Sequence, residues 1–135
     1  MRYRSVALAL GLYGALGLCD AGPAPAPSRP PRPALQFLRA PPGGTWAQVL
    51  QGDRVFHGER AGGRCSACHG WDAKGTPTGN DLTTGLWIWG DGSLRMIKAT
   101  ILHNMAVAPG MDGALAPADV DAVAAYVWAL GHQTR

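Results

Sequence analysis

Cys65-Ser66-Ala67-Cys68-His69 sets two thiols and an imidazole on one short run of chain. Two residues between the cysteines let a single tight turn present both thiols to the edges of one flat ligand. The histidine beside the second cysteine can then offer a ring nitrogen from one face. This C-x-x-C-H pattern is the attachment site for a covalently bound c-type haem. The thiols of Cys65 and Cys68 add across the vinyl groups as thioethers, and His69 is the candidate proximal iron ligand.

Other chemistries need more than this run supplies. Tetrahedral zinc takes four ligands, generally from a second Cys/His pair at regular spacing. The remaining cysteine is Cys19, near the N-terminus, and the other histidines are scattered at His57, His103 and His132. A redox dithiol of the thioredoxin type would follow a strand in a βαβ pattern. Glu59-Arg60-Ala61-Gly62-Gly63-Arg64 precedes Cys65 instead, and it is not a strand. One covalent haem per chain is the expectation.

The start of the chain agrees with that chemistry. Met1-Arg2-Tyr3-Arg4 is a short basic segment, followed by an apolar run of 14 residues over 5–18. A helix that spans a bilayer needs about 20 residues. The pattern reads as an export signal over residues 1–21, cleaved after Ala21. Attachment of haem to C-x-x-C-H takes place outside the cytoplasmic membrane in bacteria, so a periplasmic location is expected. Two variants stay open. Leu16-Gly17-Leu18-Cys19 resembles a lipobox and would put a lipid on Cys19. An uncleaved leader would also tether the N-terminus to the membrane.

Residues 22–44 turn to Pro, Ala and Arg. Proline fixes φ and removes a backbone donor, so an extended, semi-rigid spacer without a core is expected. The chain's net charge of +3 comes from this spacer and the leader. From Thr45 onward, Arg54, Arg60, Arg64, Lys74, Arg95, Lys98 and Arg135 face Asp53, Glu59, Asp72, Asp81, Asp91, Asp112, Asp119 and Asp121. That near-neutral balance offers no basic stripe for nucleic acid and no strong steering field for a partner.

Residues 45–135 form one small domain, in which a stitched-in haem would serve as core as well as cofactor. Its pattern is helical. A first helix runs over residues 47–57, with Val49, Leu50, Val55 and Phe56 apolar. Gly75, Pro77, Gly79 and Asn80 mark a loop over residues 71–85. A second helix runs over residues 93–103, with Ser93 as N-cap and Leu94, Ile97, Ile101 and Leu102 at helical spacing. Residues 105–113 read as a loop. The last helix covers residues 117–130, with Pro117 in its first turn, Asp119 and Asp121 near its N-terminus and Gly131 beyond its end. No strand-type alternation occurs, so the fold class is all-α with little or no sheet.

Over residues 52–130 these features resemble a class I c-type cytochrome: three to four helices around a covalent haem. Gly52-Asp53-Arg54-Val55-Phe56 is similar to that family's N-terminal helix, and residues 123–130 (Val-Ala-Ala-Tyr-Val-Trp-Ala-Leu) to its C-terminal helix. The resemblance implies that the two helices cross closely, and Gly52 would let Tyr126 or Phe56 pack against backbone. Cys68-His69-Gly70, Asp81-Leu82-Thr83 and Trp87-Ile88-Trp89-Gly90 are most like domains of the dihaem subunit of bacterial haem–copper oxidases. They also resemble single-haem cytochromes that serve periplasmic dehydrogenases. A redox donor and acceptor, a membrane oxidase or a periplasmic dehydrogenase, are the partners this implies.

The distal ligand departs from the family pattern. Relatives carry Met-Pro seven residues before the leucine that opens the last helix; counting back from Leu115 gives Ala108-Pro109. Met111 and Met105 flank that place. Met111, between Gly110 and Asp112, is the expected distal ligand, Met105 the alternative, and a distal His103 or an open site stays possible. Met96 is expected to pack within the second helix.

Trp87 and Trp89 are candidates to donate indole N–H groups to haem propionates or to pack the cofactor. Arg95 and Lys98 are expected as surface charges. The resemblance implies that a backbone carbonyl receives the His69 ring N–H, with Asn80 standing where relatives carry a proline and Pro77 nearby as the other candidate; such a bond fixes the ring and raises its basicity. His57 and His132 are expected to face solvent. A His/Met-ligated haem implies one-electron transfer rather than catalysis. The competing class is a haem protein with an open distal site, a ligand sensor or peroxidase-like enzyme. A third is a subunit whose haem only wires an assembly.

Overall fold

The computed structural model describes residues 28–107 and 115–134. The expected leader with Cys19, the first part of the spacer and Met111 with its surrounding loop lie outside the described residues. Four helices follow in order: α1 (Trp46–Phe56), α2 (Cys65–His69), α3 (Leu94–Val107) and α4 (Pro117–Gly131), after a 3-10 turn at Leu35–Phe37. The β structure among the described residues is an isolated bridge between Thr76 and Gly79. The expected all-α class is the one found.

Local chemistry sets the helix ends. Thr45 Oγ1 accepts from Gln48 N at 3.2 Å, and Gln48 Oε1 accepts from Thr45 N at 2.8 Å, a reciprocal capping box that starts α1. Ser93 Oγ accepts from Met96 N at 3.3 Å and starts α3. Pro117 sits in the first turn of α4, where its missing N–H would have had no helical partner. Helix α3 continues through Met105 to Val107, so Met105 is helical rather than part of the expected loop. Asn104-Met105-Ala106-Val107 contains neither proline nor glycine, so nothing in it stops the helix.

Packing centres on the crossing of α1 and α4, with α3 also against α4. Val49, Val55 and Phe56 from α1 meet Val120, Val123, Tyr126 and Leu130 from α4 in a fully buried cluster. Each such side chain contributes about 1.5–3 kcal/mol on leaving water. Phe56 and Tyr126 meet edge to face at 5.4 Å, the geometry that ring quadrupoles favour. Gly52 stands at the crossing: a Cβ there would lie 2.1 Å from the Ala122 carbonyl oxygen and 2.7 Å from Tyr126 Cβ. Neither helix backbone can yield that much without losing the contact. Gly52→Val should therefore overpack the crossing and cost at least about 1–3 kcal/mol. An unchanged denaturation midpoint would show that the helices do not cross there.

The spacer expectation fails for residues 28–44, which form a strap along the domain. Leu38 is buried in the core, and Leu35 and Ala40 pack against it. The guanidinium groups of Arg29 and Arg32 lie 4.5 and 4.7 Å from the centre of the Trp71 ring, within cation–π range. The Phe37 carbonyl accepts from Thr134 N at 2.9 Å, which joins the strap to the chain's last described residues. The Leu35-Gln36-Phe37-Leu38 run explains the difference. Its apolar side chains give the stiff, proline-flanked segment something to bury.

Candidate haem-binding site

Helix α2 is a single turn, and it ends at Gly70, whose φ of 83° lies in the left-handed region that glycine tolerates. The chain then folds back over the turn. Gly75 N donates to the His69 carbonyl at 2.8 Å, and the Thr76 hydroxyl donates to that of Cys68. Gly79 lies against the same backbone, since a Cβ there would fall 2.5 Å from the Cys68 carbonyl oxygen. Gly79→Ala should push the loop off α2 and lower the denaturation midpoint of the holoprotein; an unchanged midpoint would mean that this contact is not made.

This loop orients the histidine. His69 Nδ1 lies 2.9 Å from the Asn80 carbonyl oxygen. A carbonyl only accepts, so Nδ1 carries the proton and the lone pair resides on Nε2. Of the two carbonyls left open by the sequence, Asn80's receives the bond and Pro77's does not.

Cys65, Cys68 and His69 face a cavity of about 740 Å³, within the range of cofactor pockets. Its far wall is Ile97, Ile101 and Met105 of α3 with Val123 and Val127 of α4, and Phe56, Leu82 and Trp87 close it. Two thiols one turn apart, an imidazole presenting Nε2 and apolar walls form a donor set and a shape that fit covalent haem. Burial pushes the Cys65 thiol up to about 11, opposite to the depression that a redox-active dithiol requires. Among the described residues no three His, Cys, Asp or Glu side chains converge, so the zinc reading finds no ligand set there.

The other expected site residues separate. Met105 lines the cavity and is half-buried against the core. His103 is exposed and is not part of the wall. Met96 packs over Gly90. Trp87 is fixed between Gly92 and Gly131, where a Cβ would lie 2.1 Å from its Nε1 and 2.8 Å from its Cζ2 respectively. Ile88 and Trp89 line the cavity while standing open to solvent. Lys98 forms an ion pair with Asp121, and Arg95 is exposed.

Two histidine expectations are corrected. His57 is buried, with Nδ1 at 2.8 Å from the Asp53 carbonyl oxygen and Nε2 at 2.9 Å from that of Trp71. Its place immediately after Phe56 on the inward side of α1 carries it into the interior. His132 is half-buried: it stacks on Trp128 at 3.8 Å and bonds the Trp128 carbonyl through Nδ1 at 2.8 Å. The i,i+4 spacing of Trp128 and His132 was the available signal for that pair.

Residues 49–131 match the family model described as Cytochrome c. A cbb3-type cytochrome c oxidase subunit FixP from a Bradyrhizobium species is 36% identical over 69 residues, covering 50% of this chain and 24% of that protein. FixP from Rhizobium etli is 37% identical over 76 residues, 49% of this chain and 26% of its own. CcoP from Cereibacter sphaeroides, another cbb3-type oxidase subunit, is 32% identical over 69 residues, 50% and 24% respectively. The match thus spans about a quarter of each of these relatives. No solved structure matches. Because the family model covers more than half of the chain, including the C-x-x-C-H turn, α4 and most of α1, this protein belongs to the cytochrome c family and carries that family's covalently bound haem c.

Proposed function

We propose that this protein carries single electrons between redox partners, with one haem c joined to Cys65 and Cys68 and its iron held by His69 Nε2. The observation that carries this reading is the convergence of both thiols and the oriented imidazole on one apolar cavity. Bound haem supplies a one-electron ferric–ferrous couple. The chain's own residues do the rest. The Asn80 carbonyl keeps the proton on His69 Nδ1, and Ile97, Ile101, Val123 and Val127 exclude water. Distal ligation is assigned to Met111, from the segment just before α4, with Met105 as the alternative from the cavity wall. A thioether ligand favours the reduced state and raises the potential.

The sensor or peroxidase-like alternative needs an acid–base group opposite His69. Among the described residues of the cavity wall, His69 is the sole imidazole, and no carboxylate is present. That favours the carrier. Export to the periplasm follows from the sequence pattern, with cleavage after Ala21 as the main reading and a tether through Cys19 or an uncleaved leader as its two variants. A membrane oxidase is the preferred partner, since FixP and CcoP are named as oxidase subunits; a periplasmic dehydrogenase is the second. Among the described residues no helix is long and apolar enough to cross a membrane. Potentiometric titration followed by the visible haem bands tests carriage. A single reversible one-electron wave supports it, and irreversible or ligand-dependent behaviour contradicts it.

A further inference from the structure

His57 lies outside the cavity wall, yet among the described residues it is the most completely enclosed titratable side chain of an ion pair, at 0% exposure. Both of its ring nitrogens face backbone carbonyl oxygens, Asp53 at 2.8 Å and Trp71 at 2.9 Å. A carbonyl oxygen accepts and never donates, and a neutral imidazole has a single N–H. Both bonds form together only when the ring is an imidazolium. The counter-charge is in place, because Asp53 Oδ1 lies 3.0 Å from Nδ1.

Among the described residues, the following charged and titratable groups face this ring. On α1 it is Asp53, one turn before. From the strap, Arg32 reaches Asp53 Oδ2 at 3.2 Å and also pairs with Glu59. From α4 comes the Tyr126 phenol, which burial pushes further towards its neutral form. Two cations, His57 and Arg32, therefore balance two carboxylates, Asp53 and Glu59. The Trp71 carbonyl at the far end belongs to the loop that starts from His69 and returns with Asn80.

We propose that His57 is a positioning residue for the proximal ligand: held as an imidazolium by Asp53, it pins the loop beyond His69 to α1 and links the redox potential to pH. The proposal rests on the reading of His69 as iron ligand. Burial alone pushes the ring's pKa down, but the Asp53 side chain and the two carbonyls outweigh it and hold the pKa above 6.5. Burial likewise pushes Asp53 up, and His57 and Arg32 outweigh that, holding it below 3.8. The contribution of His57 is complete below pH 6.5 and is lost as pH rises through its higher folded value. That of Asp53 is present above pH 3.8 and is lost as pH falls through its lower folded value. Loss of the positive charge bonded to the Trp71 carbonyl, two residues beyond His69, would ease oxidation of the iron, so the potential should fall as pH rises through the His57 titration.

The test uses ferrous holoprotein labelled with 15N-histidine, together with potentials measured across pH. Both His57 nitrogens should be protonated at pH 6.5, with a midpoint above it. The potential should be level below that midpoint and fall above it. Asp53→Asn should move the ring midpoint and the potential step to lower pH together, which a merely structural contact would not do. His57→Gln should remove the step; if that variant does not fold, the wild-type and Asp53→Asn titrations still decide. A ring titrating at or below pH 6.5, a flat potential across its titration, or a step that survives His57→Gln overturns the proposal. Failure of the His69 reading is distinguishable, because the Fe–His69 signals would then be absent from the same spectra.

Discussion

Cys68→Ala or Cys65→Ala should leave almost no red holoprotein, and the apoprotein that remains should show little helix by far-ultraviolet circular dichroism. Both thiols sit on the one turn of α2, and neither has a substitute on the cavity wall. The larger part of the effect comes from the space the cofactor fills. Without the cofactor the cavity of about 740 Å³ fills with water, and Ile97, Ile101, Val123 and Val127 lose the surface they pack against, so α3 and the loop 70–92 should not hold their places. His69→Ala keeps both thioethers and should give an unstable holoprotein with altered iron ligation. An apoprotein with full native helicity would show that the α1–α4 crossing sustains the fold alone.

Met111→Ala should abolish the weak near-infrared sulfur-to-iron absorption of the oxidised protein, lower its reduction potential and open the reduced protein to carbon monoxide. Each effect follows from the loss of one ligand. A thioether ligand would favour ferrous iron and would keep carbon monoxide from it. Met105→Ala should leave all three properties nearly unchanged and appear instead as a loss of packing where α3 meets the core, below the roughly 2–5 kcal/mol of a fully buried site because Met105 is half-buried. Should Met105→Ala be the variant that loses the band, the ligand is Met105 and electron carriage stands. Wild-type protein that lacks the band and binds carbon monoxide readily would replace carriage with ligand chemistry.

The cofactor was legible from the sequence because C-x-x-C-H compresses both attachment thiols and the proximal imidazole into a single turn. The crossing helices were legible for a related reason: Gly52 and Tyr126 announce a close approach that side-chain size alone enforces. What sequence reasoning missed depends on contacts between distant segments. The Pro/Ala composition of residues 22–44 describes the backbone well, but says nothing of the surface on which Leu38 is buried and against which Arg32 pairs. His57 looks like an exposed polar residue in a Gly-rich stretch. Its interior role depends on the Trp71 carbonyl, fourteen positions away, coming round to meet it. The i,i+4 relation of Asp53 and His57 was a readable sign of their pairing. Thr45-Trp46-Ala47-Gln48 likewise spells the capping box that α1 uses, a local signal that places the start of α1 one residue before the expected Ala47. The end of α3 was set too early because Met105 was read with the glycines and proline that follow it.

Acid–acetone extraction of the purified protein, followed by its intact mass, tests directly whether a single haem is held by covalent bonds to Cys65 and Cys68. The pigment should stay with the polypeptide, and the mass should rise by one haem. Haem released into the organic phase, with both cysteines recovered as free thiols, would contradict it.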